Sequence, residues 1–283
     1  MTTTKKAWNI IDIIKWGTDY LKKNRIENAQ REMEWFLCNV LGYERIDLYL
    51  KFENLLKESE LEQLRSMVKR RVAGEPFQHI IGKAPFYGRD FIVNSNVLIP
   101  RTETGILINR MKKNEKVSSL LDVGTGSGCI AITCALENLS KKIYATDICS
   151  KALTVAHENI QLHDTEQIQT INHNILNRGF IARFDVVISN PPYISIDEMD
   201  SLQSEVRGYD PEKALTDGSD GYVFYRRFSE LFDDLLNPFG FMLLEIGGNA
   251  QKEGVEKIFS DAGLQTEFFR DNQDDFRVVE VRK

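Results

Sequence analysis

The sequence contains few cysteines and no long run of apolar residues. Its 283 residues include 4 cysteines, none in a CxxC pair or at a spacing from histidine that suits zinc. We therefore expect neither a disulfide framework nor a metal site, and a reducing, cytoplasmic location. A membrane-spanning helix needs roughly 18 or more consecutive apolar residues. The sequence has no such run, so we expect no membrane segment.

Basic residues are fewer than acidic ones. The chain has 36 Lys and Arg residues against 42 Asp and Glu residues, a formal net charge of −6 at pH 7. Beyond residue 75 there are 22 basic and 30 acidic residues, so the acidic surplus lies there. Proteins that bind bare nucleic acid usually present a basic surface. We therefore expect no direct nucleic-acid partner, and a monomer is the simplest assembly state.

Residues 1–75 have the periodicity of a small helical domain. Apolar residues recur three and four positions apart over residues 10–21 and again over residues 29–41, which predicts two amphipathic helices. Ser59 and Glu62 have the spacing of a capping box and predict the start of another helix. The tryptophans of the chain all fall in this region, and we expect them in its core: Trp8, Trp16 and Trp35.

The pattern changes after residue 75. Aromatic and β-branched residues interrupted by glycine and proline predict a β-hairpin linker over residues 76–105. Through residues 106–283, helical stretches alternate with strand-like runs: SLLDVG, KIYATD, FDVVISN, FMLLEIG and RVVEV. This alternation is typical of βαβ units and predicts an α/β domain with a doubly wound, mostly parallel sheet.

A glycine-rich turn follows the first of these strand-like runs. Gly124, Gly126 and Gly128 allow a tight turn and let a ligand approach the backbone. The dinucleotide fingerprint would need glycine where Cys129 stands, which disfavours a nicotinamide dehydrogenase. Asp147 ends the next strand-like run, 23 residues beyond Gly124. Its carboxylate could accept hydrogen bonds from ribose hydroxyls, or it could cap the following helix.

The turn, the acid and their spacing resemble those of class I methyltransferases, in which they hold S-adenosylmethionine. That family usually has an acidic and then an aromatic residue where this sequence has Asn174 and Ile175. Asn174 could accept a hydrogen bond from an amino group and Ile175 could line an apolar slot; both could also be ordinary loop residues. The resemblance implies cofactor contacts from Gly124, Thr125, Gly126, Ser127, Gly128, Asp147, Ile175 and Asn190.

The tetrapeptide Asn190-Pro191-Pro192-Tyr193 directly follows the strand-like run FDVVIS. Two prolines cannot continue a strand, so the chain turns away at the carboxyl edge of the sheet, where open α/β folds bind ligands. A planar amide or aryl amine nitrogen is a weak nucleophile that must be oriented by hydrogen bonds from its NH₂ group. We predict that the Asn190 side-chain oxygen and the Pro191 carbonyl accept these bonds. Pro192 and Tyr193 would complete the substrate slot, with Tyr193 packed on the planar group.

This tetrapeptide does not distinguish a glutamine amide from the amino group of adenine or guanine. Longer segments narrow the choice, and they occur in the order seen in the HemK/PrmC family: residues 74–82, 86–104, 124–128, 190–194, 210–221 and 243–247. Over nearly its whole length the sequence therefore resembles release factor glutamine methyltransferases.

The resemblance implies a seven-stranded, Rossmann-like methyltransferase domain over residues 106–283, beside a small N-terminal helical domain. It implies methylation of N5 of the glutamine in the GGQ loop of peptide-chain release factors, with S-adenosylmethionine as cofactor. The helical domain would then dock the protein substrate. In the linker, Arg101 and Glu103 match the family's motif. They could line the cofactor pocket, or they could form a plain surface ion pair.

Two other functions compete with this reading. A nucleic-acid methyltransferase acting on adenine or guanine would share the NPPY tetrapeptide, but it would be expected to carry a basic groove. A non-catalytic binding module with the same fold would be expected to have lost its motifs, and both GTGSG and NPPY are intact.

Overall fold

A computed structural model describes residues 7–283, so residues 1–6 of the predicted helical domain lie outside the described residues. The chain divides into two compact units, of which the first ends at Ile81 and the second comprises Gly82–Lys283. Over the described residues, each helix is too short or too polar to cross a membrane.

The first unit is a bundle of short helices around one apolar core. The Asn9 side chain begins the first helix by accepting a hydrogen bond from the Asp12 N–H at 2.8 Å. Gly42, with a φ of 66°, ends the second. The helices are α1 (Ile10–Lys23), α2 (Ala29–Leu41), α3 (Arg45–Leu50), α4 (Glu58–Val72) and α5 (Phe77–Ile81). The most deeply buried core side chains include Ile10, Leu21, Met33, Phe36, Leu37 and Leu64.

The start of α4 differs from the prediction. The helix begins at Glu58, and Lys57 is its N-cap residue. The Glu60 carboxylate accepts a hydrogen bond from the Lys57 N–H at 2.7 Å, so the reciprocal bond forms two residues earlier than expected. The capping box predicted from Ser59 and Glu62 is therefore wrong.

Two of the tryptophans are not core residues. Trp16 is 40% exposed and Trp35 is 41% exposed, so the expected burial is wrong for both. Trp16 stacks on Tyr20 of the same helix, with ring centroids 5.5 Å apart. The core side of these helices is already filled by the periodic apolar residues, so Trp16 and Trp35 lie outside it, whereas Trp8 is partly buried and packs against the core.

The second unit starts with an antiparallel hairpin of β1 (Lys83–Phe86) and β2 (Arg89–Ile92). A seven-stranded sheet spans residues 117–282, in the order β5-β4-β3-β6-β7-β9-β8. β9 is antiparallel to both of its neighbours, β7 and β8, and the other neighbouring strands of the sheet pair in parallel. The predicted α/β fold with a seven-stranded sheet is confirmed. The strands are β3 (Val117–Val123), β4 (Ser140–Asp147), β5 (Ile168–Asn172), β6 (Phe184–Ser189), β7 (Leu236–Glu245), β8 (Gln265–Arg270) and β9 (Phe276–Arg282).

Helices cover both faces of this sheet. Successive strand residues point to opposite faces. Leu120 therefore packs in one buried cluster with residues of α6 and α7, and Leu121 packs in another with residues of α11, α12 and α13. The helices are α6 (Gly105–Met111), α7 (Cys129–Leu136), α8 (Ser150–Leu162), α9 (Ser204–Tyr209), α10 (Glu212–Leu215), α11 (Val223–Glu230), α12 (Phe232–Leu235) and α13 (Asn249–Asp261), with a 3₁₀ turn at Ile196–Ser201.

Asn159 on α8 connects the hairpin to the glycine-rich turn. Its side-chain oxygen accepts a hydrogen bond from the Ile92 N–H at 2.6 Å. Its side-chain nitrogen donates to the carbonyls of Ile92 and Ser127, both at 2.9 Å. The side chain is fully buried, so water cannot replace these bonds. One amide therefore satisfies three backbone groups, two in the hairpin and one in the glycine-rich turn.

We predict that Asn159→Leu destabilises the second unit strongly. The substitution keeps the volume similar but leaves buried backbone groups unpaired, at roughly 1–3 kcal/mol each. The control is Gln161→Leu at an exposed position of the same helix. Urea unfolding should be followed by circular dichroism, because the 3 tryptophans of the chain all lie in the first unit. Equal unfolding midpoints for the two variants would show that Asn159 does not have this role.

Candidate active site

Four neighbouring parallel strands end side by side at one edge of the sheet. Val123 of β3 lies opposite Thr146 of β4 and opposite Ser189 of β6. Ser189 in turn lies opposite Leu244 of β7. Because the strands are parallel and in register, the residues that come next after these paired positions lie in one row along this edge. These residues are Asp147, Gly124, Asn190 and Glu245.

The glycine-rich turn leaves room for a ligand beside its backbone. Gly124 and Gly126 have φ angles of 73° and 54°, which favour glycine. A Cβ atom built on either would meet no other atom within 4 Å, so this side of the turn is open. At Gly128 the Cβ would lie 3.0 Å from the Ile132 side chain, so here glycine serves close packing onto α7. The first two glycines are the ones that allow close approach.

A buried carboxyl group holds the turn from below. Thr125 donates its hydroxyl to an Asp122 carboxylate oxygen at 2.7 Å, and both side chains are buried. Burial raises the pKa of Asp122 to about 7. Ser127 is buried as well, with 2% exposure. Thr125 and Ser127 therefore offer a ligand little of their side chains, and contacts from this turn would come from its backbone.

Asp147 is placed to accept hydrogen bonds from a ligand. One of its oxygens accepts from the Gly126 N–H at 3.0 Å and the other from the Cys149 N–H at 2.8 Å. Burial raises the pKa of Asp147, and these backbone bonds oppose the rise. Each carboxylate oxygen can accept more than one hydrogen bond, so capacity remains for two hydroxyls. The N-cap residue of α8 is Cys149, and neither Asp147 nor Ser150 occupies that position.

In the loop after β5, the Asn174 side chain is hydrogen bonded to the loop's own backbone, and the Ile175 side chain is buried. The Asn174 side-chain oxygen accepts a hydrogen bond from the Leu176 N–H at 3.0 Å, so it already holds its own loop. Ile175 is 4% exposed and packs in the core beneath the sheet edge. Its carbonyl accepts a hydrogen bond from Arg227 at 3.0 Å.

Asn190 directly follows β6, and the nitrogen of its side-chain amide forms a hydrogen bond. Its amide nitrogen donates to the Thr104 hydroxyl at 3.2 Å. Pro191 is buried, and the other three residues of the tetrapeptide are partly exposed. The strand beneath is fixed to β3 because the Ser189 hydroxyl donates to the Val123 carbonyl at 2.7 Å. The structure thus brings the tetrapeptide and the glycine-rich turn together, as the sequence predicts.

The backbone of Tyr193 is supported from two sides. The Gln251 side chain on α13 donates to the Tyr193 carbonyl at 3.1 Å and to the Gly221 carbonyl at 3.0 Å. The Asp217 carboxylate accepts hydrogen bonds from the backbone N–H groups of Gly221 and Val223. The Tyr193 ring packs against the buried cluster, and burial raises the pKa of Tyr193, so its phenol stays protonated.

Two buried acids flank the tetrapeptide. Glu245 is 1% exposed, and burial raises its pKa to about 7, while a hydrogen bond with Thr104 and the charge of Arg277 oppose the rise. The Asp210 side chain is 1% exposed and pairs with Arg101 at 2.8 Å. Burial raises the pKa of Asp210 to about 6. The ion pair of Arg101 therefore has a buried partner and is not the plain surface pair considered from the sequence.

Several supporting residues were not predicted as site residues. Thr104, Gln251 and Glu245 lie far from Asn190 in sequence, and their contacts depend on how the strands are ordered in the sheet. The only local signal was the intact LLEIG segment, which contains Glu245. Within residues 7–283 there is no group of three or more His, Cys, Asp or Glu side chains that could hold a metal ion.

Comparison with known proteins relates both parts of the chain to one family. Residues 12–82 match the PrmC N-terminal domain, and residues 102–207 match the methyltransferase small domain. A release factor glutamine methyltransferase of Geobacter sulfurreducens is 36% identical over 265 residues, which cover 93% of each chain. One of Bacillus subtilis (strain 168) is 39% identical over 269 residues, covering 90% of this chain and 92% of the relative.

A solved structure agrees with the fold. A methyltransferase from Pyrococcus furiosus superposes with a TM-score of 0.51 at 18% sequence identity, covering 78% of this chain and 97% of that one. At this identity the likeness concerns the fold alone.

We predict that Gly221→Ala displaces the tetrapeptide and lowers stability. The added methyl group would lie 2.4 Å from the Tyr193 carbonyl oxygen. Gly218 is the matched control, because it also has a positive φ but a Cβ there meets nothing within 4 Å. Both variants share the backbone strain, and only Gly221→Ala adds a clash, at about 1–3 kcal/mol. Thermal unfolding should show the lower midpoint for Gly221→Ala; the same midpoint for both would contradict the close approach.

Proposed function

The chain belongs to the family of release factor glutamine methyltransferases, and from this premise we propose that it transfers a methyl group from S-adenosylmethionine to N5 of a glutamine in a peptide-chain release factor. The observation that carries the proposal is the row of strand ends at one sheet edge. In this row the open glycine-rich turn, Asp147 and the tetrapeptide follow neighbouring positions of the strands, which supports a shared site.

The residues of the turn fit the cofactor. The open space beside Gly124 and Gly126 accommodates an extended ligand against the backbone, and Gly128 closes the turn onto α7. The free lone pairs of Asp147 suit the two ribose hydroxyls. The buried Ile175 side chain lines the apolar side of the site. The side-chain oxygen of Asn174 already accepts a hydrogen bond from its own loop.

When bound, S-adenosylmethionine supplies an electrophilic methyl group on a sulfonium. The chain's own part is to orient the glutamine amide, whose nitrogen lone pair is delocalised into the carbonyl. Asn190 accepts one amide proton at its side-chain oxygen, and Pro191 accepts the other at its backbone carbonyl. These bonds draw the nitrogen toward tetrahedral geometry and direct its lone pair at the methyl group.

Pro192 and Tyr193 shape the slot around the planar amide. Tyr193 packs on the amide plane, and its protonated phenol adds no charge to the site. The nitrogen becomes acidic only when it has gained the methyl group, so its proton is released after transfer. No general base is needed before attack, and catalysis is mainly orientation and electrostatic preorganisation.

The reaction is tested by transfer of labelled methyl from S-adenosylmethionine to a purified bacterial release factor. We expect label on the wild-type factor, none on a factor whose GGQ glutamine is alanine, and none on duplex DNA. Asn190→Ala should lower the rate by roughly 10²–10³-fold, the usual cost of removing one preorganised hydrogen-bonding group. Label on DNA, or on the alanine factor, would contradict the substrate assignment.

The first unit carries an exposed apolar surface suited to a protein partner. Of the 13 exposed large apolar side chains within residues 7–283, 8 lie in this unit, which is less than a third of the chain. Backbone hydrogen bonds join residues 52–56, which include Phe52 and Leu55, to residues 8–11 at the start of α1, the helix that carries Trp16 and Tyr20. We name it the apolar docking surface: Trp16, Tyr20, Trp35, Ile46, Tyr49, Leu50, Phe52 and Leu55.

We propose that this apolar docking surface binds the release factor, because a patch of this kind usually marks a protein interaction site. Ile46, Leu50 and Leu55 are 63%, 72% and 66% exposed, so changing all three to serine should leave the fold intact. The triple variant should raise the KM for the release factor at least about tenfold, since each apolar side chain buried in an interface contributes roughly 1 kcal/mol or more.

Turnover of a short glutamine peptide is the internal control, and the triple variant should leave it unchanged. The matched control variant is Ile181→Ser with Phe239→Ser, two exposed apolar residues of the second unit. If the KM for the release factor rises equally in both variants, or does not rise in either, the first unit has no specific role in binding the release factor.

A further inference from the structure

The direction in which the Asn190 amide points is decided by its neighbours. A carboxamide has a donor end and an acceptor end, and only the acceptor end can receive protons from a substrate NH₂ group. The Asn190 nitrogen donates to the Thr104 hydroxyl at 3.2 Å. Within residues 7–283, no group donates a hydrogen bond to its side-chain oxygen, so that oxygen is available to the substrate.

The Thr104 hydroxyl has no other structural task. It lies at the N-cap position of α6, yet it makes no capping hydrogen bond to that helix. The side chain is 2% exposed, so water does not compete for it. The carboxyl group of Glu245, also buried, lies nearby, and the hydroxyl opposes the rise that burial causes in the pKa of Glu245.

This hydrogen bond fixes the direction of the Asn190 amide. Its nitrogen lies toward the Thr104 hydroxyl, which accepts the hydrogen bond, and its oxygen lies on the opposite side.

We propose that Thr104 is a positioning residue that holds the Asn190 amide in the one orientation able to accept a proton from the substrate amide. The reversed orientation would place an NH₂ group against the NH₂ group of the substrate, where both are donors. This inference rests on the proposed glutamine methyltransferase function. It assigns to the linker between hairpin and sheet a part in catalysis through Asn190.

The test compares Thr104→Val, which keeps the shape and removes the hydroxyl, with Thr104→Ser, which keeps the hydroxyl. We expect Thr104→Val to lower kcat roughly 10–100-fold, the scale on which misplaced reacting groups act. Its KM for the release factor and its affinity for S-adenosylhomocysteine should not change. Thr104→Ser should retain most of the wild-type kcat, and Thr102→Val at a nearby exposed position should retain all of it.

Full activity of Thr104→Val, or equal loss in Thr104→Ser, would overturn the role of Thr104. A wild-type enzyme that does not methylate the release factor would instead sink the proposed function itself.

Discussion

In-register parallel pairing of β4, β3, β6 and β7 is the constraint on which the candidate site depends. Each of these strands ends level with its neighbour, so the loops that follow emerge along one edge. A one-residue slip of β6 would exchange its two faces and move Asn190 away from the glycine-rich turn. The buried clusters on both faces of the sheet resist such a slip, and the bond from Ser189 to the Val123 carbonyl fixes the register at the edge itself.

Buried polar side chains then convert a sheet edge into a site of defined geometry. Loops at strand ends leave backbone groups without ladder partners, and burying such groups unpaired is costly. Asn159 and Gln251 each satisfy groups of this kind beside a functional loop. Asp122 accepts the Thr125 hydroxyl beneath the glycine-rich turn. Glu245 differs, because one of its carboxyl oxygens has no hydrogen-bond partner over residues 7–283. Burying a carboxyl oxygen without a partner costs stability, so a gain in stability does not explain Glu245.

The fold could be predicted largely from local patterns. Alternating apolar strands and helical stretches specify the α/β class, and the glycine turn and paired prolines mark where strands end. The start of α4 was misplaced because Glu60 bonds the backbone of Lys57, a residue with little capping preference. Partners distant in sequence could not be predicted: Asn190 and Thr104 are 86 residues apart, and Arg101 and Asp210 are 109 apart. Their contacts follow from strand order and tertiary packing, which periodicity does not encode.

The central claim is that Asn190 and Pro191 accept the two protons of the glutamine amide. Its most direct test is a crystal structure of the chain with S-adenosylhomocysteine and a release factor bound. The account predicts the glutamine amide nitrogen at hydrogen-bond distance, roughly 2.7–3.2 Å, from both the Asn190 side-chain oxygen and the Pro191 carbonyl oxygen. A glutamine whose amide nitrogen faces away from both oxygens, or whose carbonyl occupies this slot, would contradict it.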